Sequence, residues 1–207
     1  ANTTTSTTTG TQVSTSATYS PPTTTIGTTY YYVKLTFGTG PCSTATSTPA
    51  KIEVVGTSSI TTQPEALKTI CVGGTATPHT VAFAGGTGTA AYQWYSTPTN
   101  SNSGGTAITG ATGASFTPPS FTTAGDYYYY VVITLTGSTC GSTLTSTVAQ
   151  VKVIADPVIA SQPVASQILC QNATPTNLTA SITGGTGTPT YQWYSNTTNA
   201  NTGGTQI

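Results

Sequence analysis

The chain has 207 residues, zero net charge and only 4% charged residues, against about 25% in a typical soluble domain. Its four basic residues are all lysines, so no basic stripe exists to neutralise phosphates, and nucleic-acid and anionic-membrane binding are excluded. No apolar run approaches the roughly 20 residues of a spanning helix, so no membrane span is expected.

The expected elements, in chain order, are all strands and turns. The Thr3 to Thr9 tract is polar and reads as an O-linked acceptor tract. Tyr31, Val33, Leu35 and Phe37 alternate onto one face, leaving Lys34 outward, and Lys51 and Glu53 form an outward pair on a closing strand. Ser59 to Thr62 is a short strand ended by Pro64, and Leu67 to Cys71 leads into a Gly73-Gly74 turn. Thr80 to Ala84 and Ala91 to Tyr95 follow, the latter with Tyr92 and Trp94 on one face and Gln93 and Tyr95 on the other. A polar loop from Pro98 to Gly105 precedes short strands at Ala107-Ile108 and Ala114 to Phe116. After a turn at Ala124 to Asp126, Tyr127 to Thr136 is the longest strand, with Tyr129, Val131, Ile133 and Leu135 on its core face. A hairpin loop at Gly137 to Gly141 leads to a closing strand, Leu144 to Val153, and a linker at Ala155 to Pro157. Threonine, about a quarter of the chain, suits this reading: it is β-branched and wets a sheet face without adding charge. Short strands with turn signals at this spacing predict an all-β sandwich.

The chain also repeats itself. Gly85 to Ser96 returns as Gly184 to Ser195, at an offset of 193 − 94 = 99 for the tryptophans, and Cys71 returns as Cys170. The tyrosines Tyr128 to Tyr130 match Tyr30 to Tyr32, and Cys140 matches Cys42, at an offset of 140 − 42 = 98. That period exceeds the roughly 20–50 residues of a solenoid unit and fits one sandwich of about 100. The expected organisation is the back half of a repeat at 1–55, a whole repeat at 56–155 and the front half of another at 156–207. Two explanations fit the split. The chain is a window on a longer array, which we favour, or the front half of one copy completes the back half of the next.

Residues able to carry chemistry are few. His79 reads as a surface loop residue and Asp126 as a turn cap. Asp156, in the linker, lacks the neighbouring carboxylates that calcium requires. No catalytic group, metal site or cofactor is expected, and zinc is disfavoured by the absence of C-x-x-C spacing. Trp94, Trp193, Tyr129 and Tyr31 read as core aromatics. Tyr95, Tyr128, Tyr130 and Tyr194 read as an outward row suited to lateral packing against protein, with glycan binding or cover by the loop after Tyr95 as the alternatives. Asn2, Asn172, Asn177 and Asn196 begin N-x-Thr sequences, a weak glycosylation signal in so threonine-rich a chain.

The motifs Cys71-Val72-Gly73-Gly74, Gly-Gly-Thr-Gly before Tyr92-Gln93-Trp94-Tyr95, Gly104-Gly105-Thr106, Phe116-Thr117-Pro118 and Ala124 to Val131 resemble the immunoglobulin-like repeats of large Bacteroidota surface proteins, of the kind found in type IX-secreted adhesins and enzyme stalks. The resemblance covers the whole chain. It implies tandem immunoglobulin-like antiparallel β-sandwiches on a cell surface, and it names no ligand. Cys42, Cys71, Cys140 and Cys170 do not occupy the antibody-type core positions. Disulfides between neighbouring repeats are favoured over a Cys71–Cys140 bridge within one, and either implies an oxidising compartment. The expected function is a non-catalytic structural segment of an extracellular filament or adhesin stalk. Its partners would be other copies or further repeats of itself. A carbohydrate-binding array and the spacer of a secreted enzyme are the alternatives.

Overall fold

The computed structural model describes residues 10–38 and 43–207, and every regular element in them is a β-strand. In chain order the strands are β1 (Gly27–Tyr31), β2 (Lys34–Thr36), β3 (Thr44–Thr46), β4 (Ala50–Val54), β5 (Ser59–Thr62), β6 (Leu67–Cys71), β7 (His79–Thr80), β8 (Ala82–Ala84) and β9 (Thr89–Thr97). They continue with β10 (Thr106–Ala107), β11 (Ser115–Phe116), β12 (Gly125–Thr136), β13 (Thr143–Thr145), β14 (Ala149–Ile154), β15 (Val158–Ser161), β16 (Ser181–Thr183), β17 (Tyr194–Ser195) and β18 (Thr205–Gln206). The chain divides into two compact units. One comprises Ala1–Ala66, Pro78–Phe116 and Tyr128–Ala149, and the other Leu67–Thr77, Thr117–Tyr127 and Gln150–Ile207.

The first unit holds a two-layer core. β9 lies antiparallel between β10 and β12, with Val131 opposite Trp94 and Ile133 opposite Tyr92, and β13 pairs with β12. β11 pairs with β7 and β5 with β8. Alternation along β12 sends Tyr129, Val131, Ile133 and Leu135 into the core, where they join fully buried Trp94. His79 of β7 and Phe116 of β11 come from the facing pair, with Phe116 and Trp94 ring centroids 5.5 Å apart. Within this unit the pairing runs β10-β9-β12, with a tryptophan plug on the inner strand β9, as in an immunoglobulin-like sheet. The fold is therefore all-β and immunoglobulin-like.

In the second unit, β14 and β6 run parallel, from Gln150 opposite Leu67 to Ile154 opposite Cys71. This differs from the expected wholly antiparallel sheet: Pro64 ends β5, and β6 takes a new partner, β14. Lys68 is buried in β6, and its ammonium donates to the Thr77 carbonyl (2.9 Å) and Oγ1 (2.6 Å). Val151, Val153, Phe121 and Ala76 supply the apolar burial. β15 pairs with β16 and β17 with β18.

Two expected strands are each broken in two. The Thr80 to Ala84 strand divides at Val81, whose N–H donates to Ala114 (2.9 Å), so β7 and β8 serve different partners. The Leu144 to Val153 strand divides at Ser146. There the Ser146 hydroxyl accepts the Val131 N–H (3.0 Å) and donates to the Thr147 carbonyl (2.8 Å), replacing ladder bonds while the chain leaves the sheet. The Ala91 to Tyr95 strand, in contrast, extends to Thr89–Thr97.

Candidate functional site

The sequence singles out an aromatic face, and the structure sorts its members. Trp94 and Tyr129 lie in the core, and the Trp94 indole N–H donates to the Gly113 carbonyl at 2.9 Å. Tyr130, expected outward, is 4% exposed. Its ring stacks on Tyr95 at 5.1 Å and 6°, and its hydroxyl accepts the Gly105 N–H at 3.1 Å. The polar loop ending at Gly105 therefore covers it. A Cβ on Gly105 would sit 2.7 Å from the Ser96 carbonyl and 2.9 Å from the Tyr130 ring, so only glycine allows that approach. Tyr95 and Tyr128 are half-buried and Tyr194 is exposed. The row is thus no continuous open platform, for lateral packing against protein or for a sugar.

His79, expected in a surface loop, is fully buried, with ring centroids 6.4 Å from Trp94 and 6.2 Å from Tyr129. Its counterpart one period on is Leu178 (79 + 99 = 178), so the position belongs to the apolar core pattern. Asp126 accepts a bond from Gln150 (2.8 Å), and Asp156 is exposed. Among the described residues no three His, Cys, Asp or Glu side chains come together as a metal site would require. Lys51 and Glu53 form an exposed ion pair at 2.6 Å, and this hydrogen bond raises the Lys51 pKa above its ordinary value.

The cysteines do not form a disulfide within the central repeat. Cys71, Cys140 and Cys170 are free thiols, and Cys42 lies outside the described residues, as does Asn2. Each half of that bridge is held in its own turn. Cys71 ends β6, where its carbonyl accepts the Gly74 N–H (3.0 Å). The Cys140 carbonyl accepts the Ser58 N–H (3.3 Å).

The sequence repeat has a structural counterpart in local bonding. Ser47 holds Val33 as Ser146 holds Val131, with the valine N–H donating to the serine hydroxyl at 3.0 Å in both. Gln192 donates to the Trp193 and Ile207 carbonyls as Gln93 donates to those of Trp94 and Ile108. Gly185 donates to the Ala155 carbonyl as Gly86 does to that of Gly56, at 2.7 Å each. Tyr19 packs on Tyr31 at 5.4 Å as Phe116 packs on Tyr129 at 5.2 Å.

Burial does not repeat. Trp94 is 0% exposed and Trp193, expected in a core, is 38% exposed. Tyr31 is half-buried, while Val33 and Phe37, expected on the same core face, are 50% and 60% exposed. A cavity of about 720 Å³ opens over this face, lined by Val13, Tyr19, Tyr31, Val33 and Ile52 among others. Desolvation, then the proximity of Tyr31 and a hydrogen bond to it, raise the Tyr19 phenol above its ordinary value.

These features define an immunoglobulin-like β-sandwich domain. Residues 60–155 match a family described as a domain of unknown function (DUF8696). No curated protein matches the chain. A solved structure of Sidekick-1 immunoglobulin domains 1–4 is similar at 17% identity and a TM-score of 0.37, covering 66% of this chain and 36% of that one. The chain thus spans about a third of the length of that structure's chain.

Proposed function

We propose that this chain is a non-catalytic structural segment of an extracellular filament or cell-surface stalk, built to associate with further copies of its own repeat. The observation that carries this reading is a pair of bonding patterns, each present in the central copy and once more in a flanking half, with the core covered in the central copy and exposed in the flanking ones. Open sheet edges recruit strands. The near-uncharged surface supports the same reading, because little electrostatic repulsion keeps copies apart. The resemblance to Bacteroidota surface repeats favours secretion and a stalk-like role.

Electron microscopy and sedimentation of the purified chain test the proposal. Elongated multimers that grow with concentration are expected. A compact monomer at all concentrations, or a hydrolytic activity on polysaccharide or peptide, would overturn it.

A further inference from the structure

We infer that each repeat latches the chain that enters it onto a pair of glycines, which makes the joint between consecutive repeats a fixed one. The inference goes beyond the structural reading above and does not depend on association between copies. Two joints lie inside the chain, one within each compact unit, and they are built alike. At the first, the Gly56 carbonyl accepts the Gly86 N–H at 2.7 Å. At the second, the Ala155 carbonyl accepts the Gly185 N–H, also at 2.7 Å. The two donors stand in the same turn, after β8 and after β16, one period of 185 − 86 = 99 residues apart.

The closeness of the approach is what requires glycine. Gly85 and Gly184 have φ of 76° and 75°, a region that residues with side chains rarely enter. A Cβ on Gly85 would lie 2.2 Å from the Thr57 carbonyl oxygen, and one on Gly184 would lie 2.3 Å from that of Asp156. The entering chain therefore lies directly against bare backbone. The entering segments share no residue: Gly56-Thr57-Ser58 aligns with Ala155-Asp156-Pro157. Equal geometry on unequal sequences means that the backbone of the glycine turn holds the joint, and the side chains of the linker do not.

Little chain is left free between each latch and the strand before it. β4 stays paired as far as Val54, opposite Gly27, so only Val55 precedes the bonded Gly56. β14 stays paired as far as Ile154, opposite Cys71, and Ala155 is bonded directly after it. Beyond the first latch, the Ser58 N–H donates to the Cys140 carbonyl at 3.3 Å before β5 begins. Beyond the second, the ring of Pro157 fixes its own φ before β15 begins. A swivelling linker absorbs rotation in several unbonded residues. Neither joint has them.

Two measurements on the whole chain test the latch. An endoproteinase that cleaves before aspartate meets two aspartates, Asp126 in β12 and Asp156 in the second joint, both exposed. Release of the backbone, not access to the side chain, then limits cleavage. Gly184→Ala should accelerate cleavage before Asp156 by about tenfold or more and leave cleavage before Asp126 unchanged. No acceleration overturns the inference. Equal acceleration at both aspartates reports unfolding of the variant, and the second measurement then decides. In hydrogen exchange on the wild-type chain, the Gly86 and Gly185 amides should exchange about tenfold or more slower than unstructured glycine amides. Exchange of either at the unstructured rate overturns the inference. A chain that stays monomeric and passes both measurements keeps the fixed joint and defeats only the self-association proposed above.

Discussion

Trp94 and Trp193 sit in the same Tyr-Gln-Trp-Tyr sequence and make the same local bonds, yet one is fully buried and the other is 38% exposed. Val131 and Val33 differ likewise, 0% against 50%, although a serine hydroxyl accepts the N–H of each. Local sequence thus sets the strand and its turn, while burial is set by what packs across from it. Most of the stabilisation comes from that burial, because removing apolar area from water outweighs the net gain of individual hydrogen bonds.

The largest effect expected from this contrast lies at the tryptophans. Trp94→Ala should destabilise the chain by about 3–5 kcal/mol, the cost of deleting a core aromatic. Trp193→Ala, at a side chain already 38% exposed, should cost far less. Denaturant titration of both variants would break the comparison if the two losses were equal.

The serines come next. Ser146 is fully buried, and Ser146→Ala strands the Val131 N–H, an expected loss of about 1–3 kcal/mol. Ser47→Ala, on an exposed copy of the same bond, should lie near zero by the same titration. At His79, replacement by the leucine found one period on should cost about 0.5–3 kcal/mol, because the buried imidazole packs against Trp94 and Tyr129 and leucine matches neither its shape nor its polarity. Complete unfolding of His79→Leu would show that the imidazole has a specific polar role.

The smallest effect is a pH dependence. The Tyr19 phenol is raised above its ordinary value of 10.0, so the folded state favours its neutral form. The associated stability is fully present below pH 10.0 and fades as pH rises through the higher folded value. Spectrophotometric titration of wild type against Tyr19→Phe should show that the phenol lost in the variant ionises above the ordinary value of 10.0. Its absence would detach Tyr19 from Tyr31.

Alternation alone located Trp94 and the β12 core face, because a half-buried strand writes its burial into every second residue. At Tyr130 alternation gave the face opposite the core and left open whether protein, glycan or the loop after Tyr95 covers it, since that cover comes from a loop rooted at Gly105, many residues away. It failed at His79 because residue type was read ahead of position, although the repeat had already paired it with Leu178. The break at Ser146 was invisible for another reason: a threonine- and serine-rich stretch gives no cue as to which hydroxyl will replace a ladder bond. The exposure of Val33 and Trp193 lies beyond any local reading, because it is set by what stands opposite.

The parallel pairing of β6 with β14 bears on mechanics. The two strands stand near the two ends of the central repeat, and five residue pairs join them side by side. Tension on the chain draws them in opposite directions along their length, so the bonds are loaded together in shear. An antiparallel hairpin pulled from its open end would instead unzip, its bonds breaking in succession. A filament strung from such repeats would resist stretching until a whole clamp gives way, and would then lengthen in discrete steps, repeat by repeat.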